Sequence, residues 1–377
     1  MTNILFLLRS VSSNSGVDIV TKILANEFVS MYHNINLCCL DFSDNSISSK
    51  IKYFKISGDW KKIDTLQNIN ILKEAIQKEN INIIINQECQ NIPWANLAKK
   101  AVENSKAKII SCLHFPILMS IDYFGKKAKF FPVFFAKFFK KCRDLRNLNY
   151  AYDNSDAFVL LSEKFLEHYK NLQPKRNFKK LRVITNPLHL NSSEMNYEKK
   201  QKTILFVGRI SEYQKRLSLI IEIWKIILNT KRYDDWNLKI VGDGEDLEII
   251  KEKAKNLDRI FFEGRQESKS YFEEASIFIM TSAFEGFPMT LVESLKRGCV
   301  PIVMNSFLSL LDIIENEKNG FIIPDCDINT MAEKIQILMT DETLRREIAL
   351  NGLQSVKKFD VKIIAQEWEK LFNELSK

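Results

Sequence analysis

Two carboxylates, Glu285 and Glu293, stand eight residues apart in Ser282-Ala-Phe-Glu-Gly-Phe-Pro-Met-Thr-Leu-Val-Glu293. Between them lie Gly286, Phe287 and Pro288, then the start of a helix, and the apolar run 277–280 before them reads as a short strand. Thr290-Leu-Val-Glu293 has the spacing of a capping box, and Gly298 is a helix stop signal. The expected order is strand, loop, helix N-terminus, with Glu285 in the loop and Glu293 in the first turn. Free backbone N–H groups at such a helix start bind phosphate. Carboxylates beside them suit the hydroxyls of a sugar or a ribose. A nucleotide-sugar would need both features.

Cations occupy comparable places. Phe206-Val-Gly208-Arg209 follows an apolar run, and Lys215-Arg216 begins six residues after Arg209. A strand-end glycine with an Arg and a Lys nearby can hold a diphosphate through charge-assisted hydrogen bonds. Val241-Gly-Asp-Gly244 ends the next run, but Leu247 stands where a dinucleotide fingerprint has its third glycine. Phe262-Glu-Gly264-Arg265 ends the one after.

The elements that must position these groups alternate along the chain. Strands are expected at 4–8, 35–40, 81–85, 108–113, 157–161 and 182–184, with helices at 17–32, 68–79 and 94–104 between them. A turn at 185–193 precedes a second series. Its strands are 203–207, 238–241, 260–262, 277–280, 301–304 and 320–323, and its helices are 217–228, 247–256, 269–275 and 291–297. Helices 329–340, 342–357 and 361–375 close the chain. Short apolar strands between helices indicate parallel, doubly wound sheets. At 377 residues two domains are the default. The expected division is 1–187, 188–360 and a final helix, 361–377. Ligands of open α/β sheets bind beyond the carboxyl ends of the strands, so a cleft between the two domains is the expected site.

These pieces, taken in order, resemble the family 4 glycosyltransferases. The resemblance rests on Leu205-Phe-Val-Gly-Arg209, Lys215, Leu238-Lys-Ile-Val-Gly-Asp-Gly244, Phe262-Glu-Gly264, Glu285-Gly-Phe-Pro-Met-Thr-Leu-Val-Glu293 and Gly298-Cys-Val-Pro-Ile-Val303. The N-terminal half resembles the family more loosely, through Ser15-Gly16-Val17-Asp18 and Leu113-His114. The resemblance implies the GT-B fold, with two Rossmann-like domains, and sugar transfer from a nucleotide-sugar with retention of anomeric configuration. It implies no cofactor and no metal for chemistry. By position, Gly208, Arg209 and Lys215 would meet the donor diphosphate, Glu285 the transferred sugar and Glu293 the ribose. Gly286, Phe287, Met289, Thr290 and Leu291 would line the phosphate or sugar, and Gly264 and Arg265 the base. Gly16 would approach the diphosphate and His114 the donor sugar, so Glu285, His114, Arg209 and Lys215 form the implied catalytic set. Two departures stand out. The family's usual pair of glycines and a Glu is Ser15-Gly16-Val17-Asp18 here, and its usual Lys-Gly is Lys215-Arg216.

The resemblance implies a hexose-type donor, UDP favoured over GDP, and a lipid-linked saccharide acceptor in capsule, O-antigen or lipopolysaccharide synthesis. The alternatives are a soluble transferase using a small free acceptor and a catalytically silent assembly protein. Charge adds to the first reading. The chain carries a net charge of +8, and segment 124–146 alone carries +7, from Lys126, Lys127, Lys129, Lys137, Lys140, Lys141, Arg143 and Arg146 against Asp144. One basic patch argues for a local acidic partner rather than nucleic acid. Phe134, Phe135, Phe138, Leu145, Leu148 and Tyr152 fall on one broad stripe of a helix starting near Pro132, with Lys137, Lys140 and Lys141 opposite. That helix and the loop before it, including Phe130, suit an anionic membrane surface; the alternative is an ordinary amphipathic helix packed on the first domain's core. Seven cysteines form no CxxC pair and read as free thiols of a reducing cytosol. With no signal peptide and no spanning segment expected, the expected place is the cytoplasm, peripheral on the membrane. Asp325-Cys-Asp327 imitates a metal-binding DxD but reads as a polar loop.

Overall fold

The computed structural model describes residues 1–11, 15–43, 47–116, 133–190, 197–230 and 233–377, with backbone alone for 133–138. The chain divides into two compact units, Met1–His189 with Phe359–Lys377, and Leu190–Lys358.

The first unit contains β1 (Asn3–Leu7), β2 (Ser10–Val11), α1 (Gly16–Ser30), β3 (Asn34–Cys39), β4 (Asp41–Phe42), β5 (Lys52–Lys55), α2 (Leu66–Lys78), β6 (Ile83–Asn86) and α3 (Ile92–Val102). It continues with β7 (Lys108–Leu113), α4 (Val133–Asp153), β8 (Ala157–Leu160), α5 (Glu163–Leu172) and β9 (Leu181–Val183). Seven strands form a sheet in the order β5-β3-β1-β6-β7-β8-β9, with every pair parallel. All four residues of β6 are buried, as expected of a strand covered by helices on both faces. The C-terminal helix Val361–Leu375 is part of this unit. Its Trp368 and Phe372 meet the Phe28 ring at 6.4 and 5.4 Å, and its Glu369 pairs with His33 Nε2 at 2.6 Å.

The second unit contains β10 (Gln201–Val207), α6 (Leu217–Leu228), β11 (Asn237–Val241), α7 (Leu247–Ala254), β12 (Ile260–Gly264), α8 (Ser268–Glu274) and β13 (Ala275–Met280). It ends with α9 (Met289–Lys296), β14 (Val300–Asn305), α10 (Leu310–Ile313), β15 (Phe321–Pro324), α11 (Ile328–Thr340) and α12 (Glu342–Ser355). The sheet order is β12-β11-β10-β13-β14-β15, again all parallel. Trp224, Trp236, Met331 and Ile335 lie in its core. In each unit the strand order reverses once, between β1 and β6 and between β10 and β13. Loops leaving the carboxyl ends at such a reversal run apart and open a crevice.

Three local features depart from the sequence reading. Strand β5 is an edge strand with both terminal lysines exposed, so it has no apolar run to mark it. Helix α5 buries only Phe165 and Tyr169, too few to show a clear period. The capping box does not form, because α9 begins at Met289 behind Pro288, which caps it without a side-chain hydrogen bond. Proline fixes its own φ, here −74°, and lacks an N–H, so it starts the helix ahead of Thr290. Glu293 consequently sits in the second turn. At the other end Gly298 adopts φ +65° and the Cys299 N–H bonds to Ser294 O at 2.9 Å, closing α9.

Candidate active site

The site of the second unit is built where β10 and β13 end. After β10 the chain passes through Gly208, and after β11 through Gly242 and Gly244. The two turns press together: Gly208 N donates to Val241 O at 3.0 Å and Ile210 N to Asp243 O at 2.9 Å. A Cβ on Gly242 would lie 1.9 Å from Gly208 O, and one on Gly244 would lie 2.2 Å from Ile210 O. The glycines of Val241-Gly-Asp-Gly244 therefore serve backbone contact, and they fix the path of the segment that carries Arg209 and Lys215.

Lys215 Nζ donates to Glu285 Oε1 at 2.7 Å, with side-chain exposures of 13% and 8%. Gln214 reaches the other carboxylate oxygen, Nε2 to Oε2 at 3.3 Å, and its Oε1 accepts from the exposed Arg209 at 3.5 Å. The loops also join through backbone, since Ala283 N donates to Gln214 O at 2.7 Å. Arg209, Lys215 and Glu285 are thus brought together, with Gln214 as their link. Gln214 escaped the sequence reading; its place beside Lys215 is the only signal of it.

Arg216 explains how the Lys-Arg departure is accommodated. Its backbone is left-handed, φ +51° and ψ +49°, where a non-glycine residue costs roughly 1–2 kcal/mol. The side chain offsets that cost. Nε donates to Thr281 O at 2.6 Å and Nη2 to Ser282 O at 2.9 Å, and the guanidinium holds Asp325 with both nitrogens, at 2.6 and 3.2 Å. The turn before α6 keeps the conformation a glycine would adopt. Asp327, the second carboxylate of the DxD-like segment, caps α11 by accepting from Thr330 N at 3.0 Å. The two aspartates therefore have separate structural duties.

Around α9, Phe287, Met289 and Leu291 are buried, while Gly286 and Thr290 are half-buried. Leu291 N already donates to Pro288 O at 3.1 Å, so Met289 and Thr290 carry the N–H groups a helix start leaves unused. Among the described residues the Glu293 carboxyl meets no hydrogen-bond donor. Burial pushes its pKa up to about 7, against the pull of Lys296 and Arg297. Gly264 takes φ +67° at the end of β12, accepts from Gly242 N at 2.8 Å, and is followed by an exposed Arg265.

In the first unit Gly16 is the exposed first residue of α1, after Ser15, whose Oγ accepts from Asp18 N at 3.1 Å. His114 follows β7 and is buried. Its Nε2 lies 2.5 Å from Gln87 Oε1, whose amide nitrogen donates to Thr21 Oγ1 at 3.3 Å. An amide oxygen only accepts, so Nε2 carries the proton. Burial pulls the His114 pKa down to about 4, leaving the ring neutral near pH 7. Next to Gln87 in the sequence, the buried Glu88 pairs with Arg9 at 3.2 Å, and Arg9 lies over the Trp60 ring at 4.1 Å. Of the residues expected to meet a membrane, Lys126, Lys127, Lys129 and Phe130 lie outside the described residues. Phe134 and Lys137 fall where backbone alone is described. Lys140 and Lys141 on α4 are half-buried beside the exposed Phe139, while Leu148 and Tyr152 pack inward.

The family model for "Glycosyl transferases group 1" matches residues 191–355. That stretch of the chain is similar to this family. Its fold is GT-B. The chain is 27% identical over 238 residues to the GalNAc-alpha-(1->4)-GalNAc-alpha-(1->3)-diNAcBac-PP-undecaprenol alpha-1,4-N-acetyl-D-galactosaminyltransferase of Campylobacter jejuni. That match spans 62% of this chain and 64% of the relative's own length. It is 22% identical to the amylovoran biosynthesis glycosyltransferase AmsD of Erwinia amylovora, over 99% of this chain and all of that one. Staphylococcus aureus TarM, solved with fondaparinux, alpha-GlcNAc-glycerol and UDP, superposes with a TM-score of 0.77 at 13% identity, covering 99% and 100% of the two chains. At that identity the likeness speaks for the fold alone.

Proposed function

We propose that the glycosyltransferase moves a hexose-type sugar, with retention, from a UDP-sugar to a hydroxyl of a lipid-linked saccharide in surface polysaccharide synthesis. One observation carries the reading: Arg209, Lys215 and Glu285 converge at the strand-order reversal of the second unit, beside the start of α9. Arg209 and Lys215 would take the diphosphate and stabilise the charge that develops on the departing β-phosphate oxygen. Glu285 would hold the sugar hydroxyls, Glu293 the ribose, and the Met289 and Thr290 N–H groups an anionic or hydroxyl oxygen. Gly208, Gly264 and Arg265 would line the nucleotide. With two cations in place, no metal is assigned to the chemistry.

The lipid-linked acceptor is supported by the undecaprenol-linked substrate named for the Campylobacter relative. The amylovoran enzyme supports polysaccharide synthesis. Among the described residues no helix is long and apolar enough to cross a membrane. Exposed Phe139 beside Lys140 and Lys141 supports peripheral contact with an anionic surface on the cytoplasmic face. A panel of UDP- and GDP-sugars scored by thermal stabilisation tests the donor. Stabilisation by no nucleotide-sugar would overturn the reading. Flotation with anionic liposomes, with Lys137, Lys140 and Lys141 neutralised, tests the membrane site, and unchanged flotation removes it.

A further inference from the structure

We propose that Arg216 and Asp325 are a positioning pair that holds Lys215 in register with Glu285. The proposal rests on the transferase reading for its effect on catalysis, but its geometry stands apart from it. Arg216 is the residue next to Lys215, and its left-handed backbone is a conformation an arginine adopts only when something holds it there. What holds it is a three-way clamp. The guanidinium bonds two carbonyls at the end of β13, Thr281 O and Ser282 O, and grips Asp325 at the end of β15. The Thr281 hydroxyl returns the contact, donating to Lys215 O at 2.8 Å. Glu285 leaves this same strand end three residues after Ser282. The carboxylate and the ammonium that meets it therefore hang from one set of backbone atoms, and the clamp fixes their separation.

A planar, forked guanidinium suits this task because it can serve two carbonyls and a carboxylate at once. Asp325 completes it: the aspartate lies 2.6 Å from Nη2 and keeps the fork turned toward the strand ends. Neither residue need touch substrate. Both act through Lys215.

The test labels the full chain, without nucleotide, with a trace of acetic anhydride and measures acetylation of each lysine by mass spectrometry. Asp325→Ala and Arg216→Gly are compared with wild type, the glycine being free to keep the left-handed turn. Lys200, whose ammonium bonds Phe272 O and Ala275 O in the same unit, reports general loosening. Lys215 should acetylate at least about 3-fold faster in both variants, with Lys200 unchanged. Turnover of the UDP-sugar accepted by wild type should drop about 10-fold in both, and the double variant should be no worse than either single one, since the pair acts as a unit. Unchanged Lys215 labelling in the folded variants would overturn the proposal, as would Lys200 and Lys215 rising together. If labelling shifts as expected but wild type binds neither UDP nor GDP, the clamp stands and the transferase reading fails.

Discussion

Lys215 and Glu285 neutralise one another across 2.7 Å, and both are nearly closed off from water. A diphosphate reaching Lys215 must therefore compete with a carboxylate already in place. Breaking such a pair by removing one partner strands the other charge, and each partner predicts a different result.

Glu285→Gln should free Lys215 for phosphate. UDP should bind several-fold more tightly by calorimetry, while sugar transfer drops about 100-fold, the scale of losing one well-aimed polar group at a reacting centre. Lys215→Ala leaves Glu285 buried without its cation and should cost about 3 kcal/mol in a denaturant melt, along with UDP binding. Equal UDP affinity in wild type and Glu285→Gln would show that the two ligands do not compete.

Glu293 should make stability fall as pH rises. Its folded pKa, about 7, stands above the ordinary 4.5 because of burial. Between those values the folded chain keeps a proton that the unfolded chain releases, so stability is lost as pH rises through the window and is level above it. Glu293→Gln should be more stable than wild type by roughly 1–3 kcal/mol at pH 8, with the gap closing by pH 4.5. If a ribose hydroxyl donates to this carboxylate, UDP binding near pH 7 should release protons, read by calorimetry in buffers of different ionisation enthalpy.

His114 has the opposite sign. Its folded pKa of about 4 lies below the ordinary 6.5, so the unfolded chain takes up a proton that the folded one refuses. Stability should fall as pH drops from 6.5 to 4. His114→Asn should flatten that limb in pH-dependent melts. Transfer by wild type should show no ionisation of this ring between pH 6 and 8.

Gly242→Ala and Gly264→Ala should separate two kinds of glycine. At 242 the new methyl meets Gly208 O at 1.9 Å, which the turn can relieve only by moving the segment that carries Arg209. The expected result is a loss of UDP binding and more than about 3 kcal/mol of stability. At 264 nothing lies within 4 Å, so only the left-handed φ of +67° is taxed, at about 1 kcal/mol. Equal melts for the two variants would contradict the close approach.

The strand-helix alternation, and with it the doubly wound fold, is legible because most buried strands carry a short apolar run, as in 83–85 and 277–280. Arg209, Lys215 and Glu285 were legible as charged residues at strand ends. What sequence reasoning missed is the wiring between them. Gln214, Arg216, Thr281 and Asp325 act through backbone carbonyls and through partners 65 to 109 residues away, which leave no local pattern. The capping box failed for a related reason: Pro288 settled the start of α9 by its own φ, and spacing between Thr290 and Glu293 does not encode that.

The second unit is inserted in the sequence of the first, and the first unit's chain is joined across the insertion: Leu188 N donates to Phe359 O at 2.8 Å and Val361 N to Leu188 O at 3.0 Å. A segment whose two ends arrive side by side behaves as a cassette. Residues 190–358 can be lifted out and replaced by the corresponding stretch of a relative, with two neighbouring junctions to match and little loop-closure entropy to repay. With the donor held by the second unit, as proposed, exchange of that kind would let donor choice be inherited separately from whatever the first unit recognises.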